Sequence, residues 1–199
     1  PYRFRQDRCV MEKRSGGGVM NKFGLTIVPY IYDNIAPNSY WAPAYYRASY
    51  NKQKGILALN GTEIIPCIYD DVDTWLSTDN FIVTSGNLNG LYSPEGIEIL
   101  PCEYTGISLW RKTSLIHVEI EDREGLYTQD GEEILPCQFI ICDEFNGISL
   151  INRDGFVKDG KVQDGIWGAI NQEGKIIVPC KYNDIVSDTD SECIEADGG

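Results

Sequence analysis

The sequence predicts an all-β fold in which tandem β-hairpin repeats of about 35 residues stack into an open, curved array. The first observation is a phrase of two aliphatic residues, a proline, two variable residues and a tyrosine or phenylalanine, which occurs five times. Its prolines are separated by 37, 35, 35 and 43 residues and are Pro29, Pro66, Pro101, Pro136 and Pro179. The second observation is a period-two alternation of apolar residues without helical periodicity. A fixed period of this length is typical of a repeat array.

Two glycines precede the proline at fixed distances in the last four units. The first lies eleven residues before the proline and the second lies five residues before it, as in Gly55/Gly61, Gly90/Gly96, Gly125/Gly131 and Gly168/Gly174. The second glycine follows Asn, Glu or Asp, which is typical of a hairpin turn because glycine tolerates positive φ. The proline has no N–H for a ladder and is therefore expected at the end or the edge of the second strand.

The residue after the proline is a cysteine in four units, at Cys67, Cys102, Cys137 and Cys180. The chain has seven cysteines, an odd number, and four of them occupy one repeat position, which favours small core thiols over a disulfide framework. No Cys-x-x-Cys spacing is present, so no zinc site is predicted.

An aromatic residue follows the proline by three positions in every unit, at Tyr32, Tyr69, Tyr104, Phe139 and Tyr182. Asp or Asn often comes next, which indicates a tight turn beneath an anchoring ring. A cation site is the alternative for these carboxylates, but they lack the spacing and the central glycine of a calcium loop.

A third strand is predicted further along each unit. Position fifteen after the proline is apolar and is assigned to the core, at Ala44, Phe81, Ile116, Ile151 and Ile194. Position sixteen is mixed and is assigned outward, which places His117 on a solvated acidic strand with Glu119 and Glu121. Three strands in 35 residues favour the open array over the alternative, a propeller-like closed ring, whose four-stranded blades usually need about 40 residues or more.

The last unit carries the most specific motif of the chain. Its hairpin and proline phrase read Trp167-Gly168-Ala169-Ile170-Asn171 and Ile177-Val178-Pro179-Cys180-Lys181-Tyr182. This pattern resembles the WG repeat, or KWG repeat, family of bacterial proteins. The resemblance implies a scaffold that binds partners and supplies no catalytic motif. In the first unit Phe23-Gly24 lies only five residues before Pro29, so that unit is expected to be a degenerate cap.

These patterns divide the chain at residue 22. Residues 1–21 are expected to be a flexible basic segment or the remnant of a preceding unit, and residues 22–199 a single WG-repeat-like domain of about five units. The formal charge of −13 argues against a nucleic-acid partner, because such binding depends on cations that neutralise phosphates. It also disfavours an anionic membrane surface. No apolar run approaches a membrane span, and a cytoplasmic location is expected, although the chain begins with Pro1.

Two segments interrupt the repeat. The first follows Pro29 and contains a candidate binding surface of aromatic residue types that are common at interfaces, namely Trp41, Tyr45, Tyr46 and Tyr50. The second is an insert before Pro179 with Asp-Gly pairs at residues 154, 159 and 164. It predicts an extra short hairpin, with a calcium-binding loop as the alternative.

The resulting functional hypothesis is a non-enzymatic repeat scaffold for protein–protein interaction, with partners of neutral or basic surface favoured. The alternative is a module that binds a sugar or a nucleotide on an aromatic platform around Trp41 and Tyr45. An enzyme is the weakest hypothesis, because one histidine and regularly spaced turn carboxylates form no convergent catalytic cluster. No cofactor is expected, and the oligomeric state is left open.

Overall fold

The structure is a computed structural model of the 199-residue chain. It describes residues 7–39, 44–75, 79–111, 113–188 and 193–197, and it describes the backbone alone at 143–145, 186–188 and 193–197. The described residues form antiparallel β-strands and no helix, so the all-β prediction is confirmed. None of the sheets closes into a barrel. No helix suited to crossing a membrane is found among the described residues.

The chain divides into two units, Pro1–Cys102 and Glu103–Gly199. The first unit begins with a three-stranded sheet formed by β1 (Arg8–Lys13), β2 (Gly16–Asn21) and β3 (Thr26–Tyr32). The second sheet runs in the order β4 (Asn34–Pro37), β5 (Tyr45–Tyr50), β6 (Gln53–Ala58) and β7 (Glu63–Tyr69). The third contains β8 (Asp71–Thr74), β9 (Phe81–Ser85), β10 (Leu88–Tyr92) and β11 (Glu98–Tyr104).

The second unit contains a seven-stranded sheet and two short hairpins. The seven-stranded sheet is ordered β12 (Gly106–Leu109), β13 (Ile116–Ile120), β14 (Arg123–Tyr127), β15 (Glu133–Phe145), β16 (Ile148–Arg153), β19 (Ile166–Asn171) and β20 (Ile176–Tyr182). The hairpins are β17 (Phe156–Lys158) with β18 (Lys161–Gln163), and β21 (Asp184–Asp188) with β22 (Cys193–Asp197).

The expectation of three strands per unit is wrong, because a short fourth strand starts directly after the tyrosine-aspartate corner. Strands β4 and β8 are only four residues long and each opens the next sheet. The corner itself is a turn, as predicted, and its carboxylate caps a neighbouring hairpin. Asp33 Oδ2 accepts the backbone N–H of Lys52 at 2.9 Å, and Asp70 Oδ2 accepts that of Gly86 at 2.7 Å.

The paired glycines have the roles that the sequence predicts for a hairpin. The second glycine adopts φ between 76° and 89° in all five units, at Gly24, Gly61, Gly96, Gly131 and Gly174. The first glycine faces the proline strand at close range. A Cβ atom on Gly55 would lie 2.5 Å from Ile65 O and 2.8 Å from Cys67 N, so only glycine fits there.

Each proline lies inside the second strand of its hairpin rather than at the strand's end. That strand is an edge strand of its sheet in every repeat except that of Pro136, whose strand β15 pairs with both β14 and β16. Pro66 is in β7, the edge strand of its sheet, where its missing N–H removes no ladder bond. The β6–β7 register shifts between Lys54 and Ile56, beside the same proline, and the strand then continues to Tyr69.

The first unit of the repeat is not truncated, and this corrects the boundary at residue 22. Gly18 lies eleven residues before Pro29, and a Cβ atom there would lie 2.7 Å from Val28 O, as at the other leading glycines. Residues 8–13 and 16–21 form β1 and β2, which share a sheet with β3. The boundary at residue 22 therefore falls inside a sheet.

The core column predicted fifteen residues after the proline is wrong in the second sheet. The segment from Pro29 to Gly55 is two residues longer than the corresponding segment of the next repeat, from Pro66 to Gly90. As a result Tyr46, not Ala44, occupies the buried place, and Tyr46 is 2% exposed. Phe81, Ile116 and Ile151 are buried as predicted, whereas Ala44 is exposed.

Core clusters lie between successive sheets of the first unit. Val19 and Val28 of the first sheet pack with Tyr46 and Leu57 of the second. Ile65 and Tyr69 of the second pack with Phe81 and Val83 of the third. In the second unit the cluster contains Trp110, Leu126, Leu135, Phe139, Ile151 and Ile170. A lone sheet exposes its apolar faces, so each sheet depends on its neighbour.

Candidate functional site: an aromatic and acidic cleft

A cleft of about 810 Å³ opens between the second and third sheets of the first unit. Its lining includes three aromatic side chains, Tyr45, Trp75 and Phe81, and two exposed carboxylates, Asp79 and Glu95. The volume lies in the range of ordinary ligand pockets, which is about 300–1,000 Å³. This site is named the Trp75 cleft below.

Loops and strand ends build the Trp75 cleft. Asn38 Oδ1 accepts the N–H groups of Ala44 and Tyr45 at 2.8 and 3.2 Å, which fixes the start of β5 and therefore the Tyr45 ring. Trp75 follows β8 directly, and its backbone N–H donates to the backbone oxygen of Asn80 at 2.9 Å. Glu95 belongs to the β10–β11 turn, where its N–H donates to Ser93 Oγ at 3.2 Å.

The aromatic residues of the cleft come from two sheets. The rings of Tyr45 and Phe81 pack edge to face, with centroids 5.1 Å apart and an interplanar angle of 86°. Phe81 is 3% exposed and belongs to the core, whereas Trp75 is half-buried. Trp75 and Tyr45 are thus the rings that a ligand would contact.

The charge of the lining is negative. Arg47 also lines the cleft, but its guanidinium is bound to the carboxylate of Asp73. Burial alone would lower the pKa of Arg47, but the hydrogen bond and ion pair with Asp73 outweigh it and raise that pKa. The hydrogen bond from Arg47 in turn lowers the pKa of Asp73. Asp79 and Glu95 form no ion pair with another described side chain.

The four aromatic residues of the predicted binding surface do not form one surface. Tyr45 lines the Trp75 cleft, and Trp41 lies outside the described residues. Tyr46 is buried in the core, because it occupies the place that Phe81 and Ile116 hold in later units. Tyr50 is 43% exposed but lies at the other end of β5, about 17 Å from Tyr45 at the rise of an extended strand.

The sequence does not identify the other cleft residues as functional. In the sequence Trp75 is only one of the aromatic residues that recur nine positions after the proline, as at Trp110 and Phe145. Asp79 and Glu95 belong to loops that are distant in sequence from Tyr45. The one signal in the sequence is that all of these residues lie at the loop edge of the repeat, where binding residues are common.

The remaining repeat residues are parts of the architecture. Tyr69 and Tyr104 are 7% and 6% exposed, and Tyr182 and Trp167 are half-buried. A Cβ atom on Gly168 would lie 2.6 Å from Val178 O. The four cysteines are half-buried rather than fully buried, and Cys102 and Cys137 donate to backbone carbonyls at 3.1 Å.

His117 does not lie on a solvated strand, and this is a correction. It is 8% exposed, and its Nε2 lies 2.6 Å from Glu124 Oε2 while its Nδ1 lies 3.2 Å from Ser108 Oγ. The Trp110 ring packs against the imidazole at 5.5 Å between centroids. Because the imidazole is packed beneath a tryptophan, we interpret this cluster as a buried polar network.

The Asp-Gly insert forms the predicted extra hairpin, β17–β18, with Asp159 and Gly160 at φ 52° and 74° in its turn. Asn152, which the period of two assigns outward, is fully buried at its base. Its Nδ2 donates to Asp164 O at 3.1 Å, and its Oδ1 accepts the N–H of Gly155 at 3.0 Å. The described residues contain no group of three or more His, Cys, Asp and Glu side chains that could hold a metal ion.

Comparisons with known proteins give distant structural matches. No curated protein matches the chain. Among solved structures, a eukaryotic initiation factor is 9% identical over 92% of this chain, with a TM-score of 0.37. Hsv2 from Kluyveromyces lactis is 10% identical over 88%, with a TM-score of 0.32. The chain spans 55% and 61% of the lengths of these two proteins.

A family comparison identifies the repeat itself. Residues 59–87 and 167–191 match the model of the WG containing repeat. The first match runs from the β6–β7 turn to the β9–β10 turn, and the second begins at Trp167. The resemblance predicted from the Trp-Gly motif and the proline phrase is therefore confirmed, and the chain contains two segments that match the WG containing repeat.

Proposed function

We propose that the protein is a non-enzymatic scaffold for protein–protein interaction and that the Trp75 cleft is its docking site for a segment of a partner protein. The observation that carries the proposal is the convergence of Tyr45, Trp75 and two exposed carboxylates on one cleft. Tyrosine and tryptophan are enriched where binding energy is concentrated, because each buries a large apolar area and keeps a polar group at its edge.

The chemistry of the cleft favours a peptide segment over a nucleotide. A phosphate would require free cations, whereas Arg47 is bound to Asp73 and the other charged groups of the lining are Asp79 and Glu95. The formal charge of −13 likewise favours neutral or basic partners. The packing of His117 beneath Trp110 supports a non-catalytic role for the most conspicuous polar cluster of the second unit.

The test is a selection of displayed random peptides on the whole purified chain, followed by calorimetry with the selected peptides. We expect Trp75→Ala to weaken binding at least ten-fold, since truncation of a central anchor typically costs about 2 kcal/mol or more. Ala44→Arg should block the cleft without removing a core side chain, because Ala44 is exposed. Tyr50→Ala is the matched control, because Tyr50 is an exposed aromatic outside the cleft.

Two results would overturn the proposal. One is the selection of peptides whose affinity is the same for the wild type, Trp75→Ala and Ala44→Arg. The other is the binding of neutral sugars in the cleft when none of the selected peptides competes with them. That result would favour the alternative of a sugar module. Circular dichroism of each variant establishes that loss of binding does not reflect loss of the fold.

A further inference from the structure

Trp75 has a counterpart in the second half of the chain, Glu103–Gly199. Trp75 and Trp110 occupy the same repeat position, nine residues after Pro66 and Pro101. In each case the tryptophan directly follows a four-residue strand, β8 or β12. The surroundings of a tryptophan at this repeat position can therefore be compared at two places. The two places differ in the charged groups near the indole ring.

At Trp110 the chain supplies its own cation. The guanidinium carbon of Arg111 lies 4.5 Å from the centroid of a Trp110 ring, and Arg111 Nη2 donates to Cys142 O at 3.2 Å. Trp110 is 6% exposed. A guanidinium over an indole face is a favourable cation–π contact, because the ring face is the negative part of its quadrupole.

At Trp75 no described residue supplies such a cation. Residues 76–78 are Leu, Ser and Thr, where Arg111 follows Trp110. The cation that lines this cleft, Arg47, is bound to Asp73. Trp75 is half-buried, so part of its surface faces the cleft.

Two carboxylates line the Trp75 cleft and can bind a cation from outside the chain. Asp79 and Glu95 are exposed and line the same cleft as Trp75. The negative face of an indole and a carboxylate both attract a planar cation, and both repel an anion. Arginine is better suited than lysine, because its guanidinium stacks on an aromatic face and donates to carboxylates at the same time.

We infer that the Trp75 cleft receives an arginine side chain of the partner, stacked on Trp75 and bound to Asp79 and Glu95, in the way that Arg111 covers Trp110 within the chain. This inference rests on the proposed function and specifies the residue that the docking site recognises. A segment with an arginine next to an apolar residue fits the cleft, since Tyr45, Ile64 and Pro94 also line it.

The test uses N-acetyl-arginine methylamide and its neutral isostere, N-acetyl-citrulline methylamide, in titrations of the whole chain followed by indole N–H resonances in NMR. Trp75→Phe assigns the Trp75 resonance. We expect the arginine probe to shift it with a dissociation constant about three- to ten-fold lower than that of the citrulline probe. The preference should decrease as salt is raised, because the carboxylates are exposed.

Isosteric variants separate charge from shape. The double variant Asp79→Asn with Glu95→Gln should abolish the preference for arginine, so that the two probes bind with equal affinity. Asp130→Asn is the matched control, because Asp130 occupies the position of Glu95 in the next unit and should leave both affinities unchanged.

Two outcomes would overturn the inference. Equal affinity for arginine and citrulline would show that the cleft does not recognise a cation, and the docking function would still stand if selected neutral peptides bind there. No shift of the Trp75 resonance with the arginine probe, while peptides without arginine shift it, would exclude arginine as the occupant. Binding of no peptide at all would instead remove the proposed function.

Discussion

The hydroxyl oxygens of Tyr69 and Tyr92 lie 2.7 Å apart and connect the second sheet to the third. Tyr92 donates to Glu98 Oε2 at 2.7 Å, so the hydrogen between the two tyrosines belongs to Tyr69. The same order recurs in the second unit, where Tyr104 donates to Tyr127 at 3.2 Å and Tyr127 donates to Glu133 at 3.1 Å. The two chains of hydrogen bonds follow from three fixed positions of the repeat.

The last complete repeat shows the apolar alternative to this arrangement. At the three corresponding positions it has Phe139, Ile170 and Ile176, so the two hydroxyls and the carboxylate are replaced together. Phe139 and Ile170 lie in one core cluster. A buried hydroxyl is costly when its partner is lost, which explains why both hydroxyls are absent here. In the first repeat only the middle position is apolar, with Leu57 between Tyr32 and Glu63.

We expect Tyr92→Phe to destabilise the first unit by about 1–2 kcal/mol, because it leaves the buried Tyr69 hydroxyl without its acceptor. Tyr30→Phe is the matched control, since the Tyr30 hydroxyl is buried and has no hydrogen-bond partner among the described residues. That variant should be neutral or slightly stabilising. Urea unfolding measures both, and equal stabilities of Tyr92→Phe and the wild type would show that the hydrogen bond contributes nothing.

Gly90→Ala should destabilise the protein more than Gly86→Ala does. A Cβ atom on Gly90 would lie 2.9 Å from Cys102 N and 3.0 Å from Leu100 O, so the edge strand β11 would be displaced. Overpacking of this kind typically costs about 1–3 kcal/mol. Gly86 has φ of 60°, but a methyl group added there would meet nothing within 4 Å, so alanine incurs only backbone strain, about 1 kcal/mol. Thermal unfolding gives the order, and a reversed order would contradict the close-approach explanation.

Local patterns were sufficient to predict the hairpins, because a turn glycine and a proline act within a few residues. They were insufficient where the spacing changes. Counting from Pro29 placed Ala44 in the core, whereas counting back from Gly55 would have identified Tyr46, which is 2% exposed. The fourth strand was missed because Asp71–Thr74 is short and its polar residues also suit a turn.

Sites that depend on register or on packing between sheets could not be predicted from one sequence. The contact between His117 and Glu124 requires the β13–β14 register, in which Glu119 pairs with Glu124. The Trp75 cleft requires two sheets and several loops that a linear pattern does not connect. Tyr45, which the sequence offered as a binding residue, is half-buried and lines the cleft. Trp75 and Glu95 were not predicted as site residues.

Asn152→Ala should loosen the insert hairpin as well as destabilise the second unit. The substitution removes the hydrogen bonds to Asp164 O and from Gly155 N–H at a fully buried position, at a cost of about 2 kcal/mol. Asn60→Ala is the matched control, because the Asn60 side chain accepts one N–H at an exposed turn. Hydrogen exchange should accelerate at residues 156–163 in Asn152→Ala only. Unchanged exchange there would show that the hairpin is held independently of Asn152.

Alkaline pH should destabilise the protein, because its half-buried thiols ionise more readily in the unfolded state. Burial, with the nearby carboxylates of Glu63 and Asp33, raises the pKa of Cys67 to about 11, and burial also raises the pKa of Cys102, Cys137 and Cys180. An unfolded thiol ionises at about pH 8.5. A group whose pKa is raised by folding stabilises the folded state below the unfolded value, and this contribution is lost as pH rises to the folded value.

The contribution of the thiols to the free energy of unfolding should therefore stay constant up to about pH 8 and fall between about pH 8.5 and 11, where the Cys67 thiol would have to ionise in a half-buried position. Urea unfolding at each pH measures the slope. Cys67→Ser removes one titrating thiol and should make the decline shallower, whereas an unchanged slope would exclude Cys67 as its source. Iodoacetamide provides a second measurement. At about pH 8 it should modify Cys67 much more slowly than a free thiol, because only the thiolate reacts.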